Sequence, residues 1–195
     1  MSSADRRTLI ADTAIATVAA AGLRGLTHRA VDSAAGLPPG STSYYFRTRT
    51  ALIGACYQRL AELDLADFEP GPGGPPALDG REAAATALAA LLHRWLTDGR
   101  ARQLARWELS LEAARNPELG LELHRAGAGF RDRAAAVLAG LGAEEPRVSA
   151  ELLVAWTEGL LFDRLAGALA RSRPAPDPAE LAAVTRRMLD AALDG

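Results

Sequence analysis

Gly36-Leu37-Pro38-Pro39-Gly40-Ser41-Thr42-Ser43-Tyr44-Tyr45-Phe46 is the stretch that decides the fold. It follows a short apolar-periodic segment, residues 26–35, and Gly36 falls where a helix ends in a left-handed residue. Two prolines can open the next helix but not continue one. Small hydroxylated residues follow, then paired tyrosines. Helix, glycine turn and short polar helix make up a helix-turn-helix whose second helix lies against nucleic acid.

Working outward, residues 5–21 read as a helix with Ile10, Ala14, Val18 and Ala21 on one face, stopped by Gly22. Thr27 caps a second helix that turns Ala30, Val31 and Ala34 inward. The third runs from about Pro38 to Tyr44. Thr48 caps a fourth, with Leu52, Cys56, Tyr57, Leu60 and Leu63 inside. Residues 70–76 are all proline or glycine and predict a loop. Helical periodicity resumes over 81–98, 101–115 and 118–141, broken by Asn116-Pro117 and by Gly140 and Gly142. Pro146 opens a long apolar helix to about Ala170, and Pro178 opens the last, carrying Leu181, Val184, Met188, Leu189 and Ala192. No segment shows strand alternation or an internal repeat. The expected fold is all-α with about nine helices. A three-helix helix-turn-helix head, 1–50, precedes a helical body, 51–195.

Composition agrees with helices packed by small and aliphatic side chains: 49% of the 195 residues are hydrophobic and only 5% aromatic. The net charge of −2 says little, but its distribution says more. Residues 1–49 hold six arginines against three acids, whereas the rest holds 16 arginines against 21 acids. A basic front end on an acidic body suits a nucleic-acid head on a regulatory body. Ordinary charge scatter is the plainer alternative. All 22 basic residues are arginine, which reflects codon usage rather than phosphate binding. A single cysteine, Cys56, excludes an intramolecular disulfide and fits a reducing compartment. No apolar run reaches the length of a membrane span and no signal-peptide core follows the N-terminus, so a cytoplasmic protein is expected.

Metal, nucleotide and hydrolase motifs are missing from the sequence. His28, His93 and His124 lie far apart, and no Glu-x-x-His pair occurs. No cofactor, metal or catalytic residue is expected. A helical enzyme using a pocket in the body stays open as an alternative, as does a regulator acting through protein contacts.

Residues 5–55 resemble the TetR family of bacterial transcriptional regulators. The resemblance rests on Gly25-Leu26-Thr27, Ala34-Ala35-Gly36-Leu37, Gly40-Ser41, Tyr44, Phe46, Arg49 and Ala51-Leu52. The rest of the chain is similar only in architecture. Members of the family often carry tyrosine at the place of Ser43 and histidine at that of Tyr45. Arg49-Thr50 stands for a frequent lysine-glutamate pair, so base preference does not transfer.

The resemblance implies that Tyr44, Tyr45 and Arg49 contact the DNA backbone. Pro39, Ser41 and Ser43 would face the major groove. Arg29 is the candidate to reach a guanine edge. Thr27 would hold a helix N-terminus toward a phosphate, or serve only as a cap. His28 reads as a solvated surface residue and Phe46 as core.

In the body, Trp107, Glu108, Leu111, Phe130, Trp156 and Phe162 are the candidate lining of a mostly apolar effector pocket. Core packing is the competing role for the tryptophans, and a salt bridge for Glu108 and Glu158. The family pairs the last two helices, here 147–171 and 178–193, with their copies. Leu152, Leu181, Val184 and Met188 are then interface candidates, with burial inside one chain as the alternative. The expected protein is a homodimer on a near-palindromic double-stranded DNA operator, most simply a repressor. A small apolar or amphipathic effector would release it, and no membrane partner is implied.

Overall fold

The computed structural model describes residues 2–68 and 80–194. Among them are nine helices and no strand: α1 (Ser3–Gly25), α2 (His28–Ala34), α3 (Ser41–Tyr45), α4 (Arg49–Ala66), α5 (Arg81–Leu96), α6 (Arg100–Ala113), α7 (Pro117–Gly140), α8 (Pro146–Leu165) and α9 (Pro178–Asp194). The expected all-α fold is therefore found. The proline-glycine stretch 70–76 lies outside the described residues.

Local chemistry sets most helix ends. Ser2 and Asp5 form a reciprocal capping box at the start of α1. Gly22 breaks α1 with φ +65°, so the last residues of that element are a separate turn, as a stop at Gly22 predicts. The Thr27 hydroxyl accepts the Ala30 N–H at 3.0 Å, and the Thr48 hydroxyl accepts the Ala51 N–H at 3.0 Å. Pro146 sits in the first turn of α8.

Two ends differ from expectation. The third helix starts at Ser41 rather than at Pro38, because Gly40 has φ +91° and a right-handed helix does not pass through it. The eighth ends at Leu165 rather than near Ala170. There the N–H groups of Ala166 and Gly167 both turn onto the Phe162 carbonyl. Gly167 approaches Asp163 so closely that a Cβ would lie 2.5 Å from its carbonyl oxygen, which only glycine avoids.

The chain packs as two compact units. The first comprises Met1–Asp64 and Ala101–Gly127, the second Leu65–Arg100 and Ala128–Gly195. This division does not coincide with a boundary at residue 50. Ile10, Ala14, Val18, Leu26, Val31 and Phe46 complete their burial against Leu52, Ile53, Cys56 and Tyr57 of α4 and Leu109 of α6. A segment of 50 residues is too small to enclose its own core, so it borrows the next helices. Within the same unit the buried Tyr57 hydroxyl donates to the Leu109 carbonyl at 2.8 Å. Arg106 donates to both carboxylate oxygens of buried Asp64 at 2.6 Å and to Gln103 Oε1 at 3.0 Å. These bonds fasten α4 to α6.

In the second unit α9 packs chiefly against α5. Leu138, Ala84, Ala85, Leu153 and Leu189 share a core there. Thr185, wholly buried on α9, donates to the Ala85 carbonyl at 2.8 Å. Arg81–Asp194 and Arg186–Glu82 pairs flank the helices, but solvent screens exposed pairs of this kind and they add little to stability. No described helix is long and apolar enough to cross a membrane.

Candidate nucleic-acid interface

The short helix α3 is held from behind and bare in front. Thr42 is wholly buried and Phe46 seals the core beneath. Pro39 and Ser43 are exposed, and Tyr44 keeps 79% of its surface. The Ser41 hydroxyl donates to the Pro38 carbonyl at 2.6 Å, which bridges the entry turn to the helix. Tyr45 is half-buried and meets Tyr44 edge-on, with ring centroids 5.1 Å apart. The Arg7 guanidinium of α1 lies 5.7 Å from the Tyr45 centroid and 5.1 Å from that of Phe46. A cation thus stands beside the paired tyrosines. Arg29, on α2, is exposed, and Thr27 caps the start of that helix.

Two side chains of α2 hold α3. Asp32 is only 4% exposed. Its Oδ2 accepts the Gly40 N–H at 2.7 Å, and its Oδ1 accepts the Thr42 N–H at 2.7 Å and the Thr42 hydroxyl at 2.6 Å. Burial pushes the Asp32 carboxyl up, but the donors from Thr42 and Gly40 and the charge of His28 outweigh it and leave the group below its ordinary value. His28 is half-buried, with Nε2 2.7 Å from the Phe46 carbonyl oxygen, and is not the solvated residue expected. An acid at helix position 32 carried no sequence signal, because its partners lie eight and ten residues ahead across a turn.

Arg49 has partners within the head. Its guanidinium donates to the carbonyls of Leu23 and Leu26, at the end of α1. In the free chain the side chain satisfies helix-end carbonyls, the usual place for a cation.

The residues expected to line a pocket come from both units. Trp107, Glu108 and Leu111 lie on α6 in the first unit, while Phe130, Trp156 and Phe162 belong to the second. Trp107 is half-buried and Leu111 is 58% exposed. Glu108 is exposed, with its carboxylate beside Gly22 of α1. In the second unit Phe130 packs against Phe68 and Trp95, at centroid distances of 5.2 and 5.9 Å. The Trp95 indole N–H donates to Asp67 Oδ2 at 2.6 Å. This aromatic group was not anticipated, since Phe68, Trp95 and Phe130 come from three distant segments. An open groove of about 570 Å³ runs along α1 and α2, walled by small side chains including Ala16, Ala20, Ala30 and Ala34. None of the expected pocket residues lines it.

Trp156 and Phe162 instead share an exposed stripe of α8 with Val148 and Leu152. Of the interface candidates, Leu152 is therefore exposed, Val184 and Met188 are half-buried, and Leu181 is wholly buried. Met188 packs on the core of the second unit. Leu181 is a core residue, because α9 spends that face on its own chain.

Residues 79–195 match the family model of the tetracyclin repressor-like C-terminal domain. This chain belongs to the TetR family of transcriptional regulators. Regulators of the TetR family are transcription factors rather than enzymes, and the family binds DNA and small molecules. Among solved structures, this TetR-family chain is similar to the multidrug binding protein EbrR complexed with ethidium, with 30% identity, 94% of this chain and 98% of that chain covered, and a TM-score of 0.69. It is similar to a transcriptional regulator from Rhodococcus sp. Rha1, with 25% identity, 100% and 97% covered, and a TM-score of 0.74. A TetR-family member from Streptomyces coelicolor A3 shares 29% identity, with 94% and 98% covered and a TM-score of 0.70. No curated protein matches the chain significantly.

Proposed function

We propose that this TetR-family regulator is a cytoplasmic, dimeric repressor that lays α3 in the major groove of a near-palindromic operator and leaves it when a small amphipathic effector binds. The bare outer face of α3, fixed on a buried inner face, carries the reading. In this assignment Ser43, Pro39 and Ser41 meet base edges, Arg29 reaches a guanine, and Tyr44 and Tyr45 with the capped start of α2 at Thr27 meet the backbone. DNA contact belongs to residues 1–50, and effector binding and dimerisation to 51–195. Arg49 acts by bracing the head rather than by touching phosphate.

Dimerisation is assigned to the exposed apolar stripe Val148, Leu152, Trp156 and Phe162 of α8, which water disfavours and a second copy covers. The half-buried Val184 and Met188 of α9 are assigned to the same interface. Two copies are needed because one five-residue recognition helix contacts too few bases for specific binding.

For the effector, the candidate contact is the aromatic group of Phe68, Phe130 and the buried Trp95, whose N–H is held by Asp67, and a ligand would have to part these rings to enter. EbrR is complexed with ethidium and with proflavin, which supports planar aromatic cations as the first class to try. The lever assigned to this coupling is α4, which starts at Arg49 in the first unit and whose last residues, Leu65 and Ala66, belong to the second. The test titrates ethidium and proflavin against tryptophan fluorescence, together with release of DNA flanking the chain's own gene. The expected result is release with at least a tenfold loss of DNA affinity, equal to about 1.4 kcal/mol of coupling. Ligands that quench the tryptophans yet never alter DNA affinity would overturn the regulatory reading.

A further inference from the structure

Helix α3 has five residues, far fewer than a helix needs to persist alone, and its N-cap Gly40 makes no side-chain hydrogen bond of its own. The missing cap comes from α2. Asp32 takes the two backbone N–H groups that open the helix, Gly40 and Thr42, together with the Thr42 hydroxyl. One turn earlier on α2, His28 meets the carbonyl of Phe46, the residue that closes α3. Two side chains four residues apart on one helix therefore hold both ends of the next.

We infer that Asp32 is the positioning residue of the recognition helix, with His28 as its lesser counterpart: it touches no base, yet it sets the pitch at which Pro39, Ser43 and Tyr44 meet the groove. The inference rests on the DNA-binding reading. Its physical core is that base readout needs donors and rings held to well under an ångström, whereas attraction to phosphates tolerates a loose helix. Loss of Asp32 then removes sequence discrimination and leaves non-specific binding nearly intact. An Asp32 that served only general stability would lower both alike.

The experiment selects a duplex from a randomised pool with the unmodified full chain. It then measures binding of Asp32→Ala, Asp32→Asn and Thr42→Val to that duplex and to a scrambled one. Hydrogen exchange of the residue 40–46 amides is followed in the free proteins. Hydrogen bonds to a charged group are the stronger kind, so Asp32→Ala is expected to lose at least about tenfold on the selected duplex and less than about twofold on the scrambled one, with faster exchange confined to 40–46. Asn keeps an acceptor for Thr42 but opposes the Gly40 N–H with an amide, so its loss is intermediate. Val keeps the shape of Thr42 and removes only the hydroxyl donor, giving the smallest loss. This graded series holds the test open should Asp32→Ala fail to fold.

An unchanged ratio of selected to scrambled affinity in Asp32→Asn and Thr42→Val, with unchanged exchange, would overturn the inference alone. A wild-type chain that enriches no sequence overturns the DNA-binding reading and this inference with it. The exchange pattern then reports whether the grip on α3 exists at all.

Discussion

Helices α3 and α8 both present bare faces to solvent, and the two faces have opposite chemistry. That of α3 is made of Pro39 at its entry, Ser43 and the ring of Tyr44, with Arg29 on the neighbouring helix. That of α8 is made of Val148, Leu152, Trp156 and Phe162, which is 50% exposed. A surface of hydroxyls, a phenol and a guanidinium keeps its hydration until it meets a wet, charged partner such as DNA. A continuous aliphatic and aromatic stripe gains by losing water altogether. Exposure alone therefore does not name a partner; the polarity of the exposed face does.

One charge at a buried leucine and one at an exposed leucine separate core from interface most strongly. Leu181→Asp puts an unpaired carboxylate on the wholly buried face of α9, and is expected to cost about 4 kcal/mol or more and to abolish cooperative unfolding. Leu152→Asp, on the stripe of α8, is expected to leave helicity intact and to yield a monomer in sedimentation. If both variants behave alike, the stripe and the core are not distinct surfaces.

On the α3 side the expected effects are smaller. Tyr44→Ala should weaken binding to every duplex, whereas Arg29→Ala should lose about 1–3 kcal/mol at one base pair and relax preference there. Affinity of the unmodified chain should fall steeply with salt as counterions are released, and this is measured by titration at several salt concentrations. Equal losses on all sequences for both variants would deny Arg29 a reading role.

Arg49→Ala separates bracing from contact. Removing two bonds from a guanidinium to the end of α1 should lower thermal stability by about 1–2 kcal/mol. It should also leave the salt slope of DNA binding unchanged, where loss of a phosphate contact would reduce the slope by about one. The smallest effect concerns Cys56, whose thiol burial pushes up to about 12. Alkylation by iodoacetamide, followed by mass, should be negligible in the folded chain and complete in denaturant.

Much of the fold was legible because its signals are local. The caps at Thr27 and Thr48, the break at Gly22, the turn at Gly36 and the opening at Pro146 each act within a few residues of backbone. Hydrophobic periodicity likewise told which residues of each helix form a stripe. It did not tell what covers the stripe. Leu181 and Leu152 looked equivalent in sequence, and only the tertiary packing buried one and left the other bare.

Long arginines follow the same logic. Arg49 reaches across to carbonyls 23 and 26 residues earlier, which no pattern near residue 49 announces. The sequence by itself determined the all-α class, the order of the helices and the helix-turn-helix, since capping, turn and periodicity energies depend on neighbours in the chain. The tertiary structure alone decided the grip of Asp32 and His28 on α3, the place of the aromatic group around Phe130 and the inward turn of Leu181. Those contacts join residues that chain connectivity leaves far apart, and folding in three dimensions brings them together.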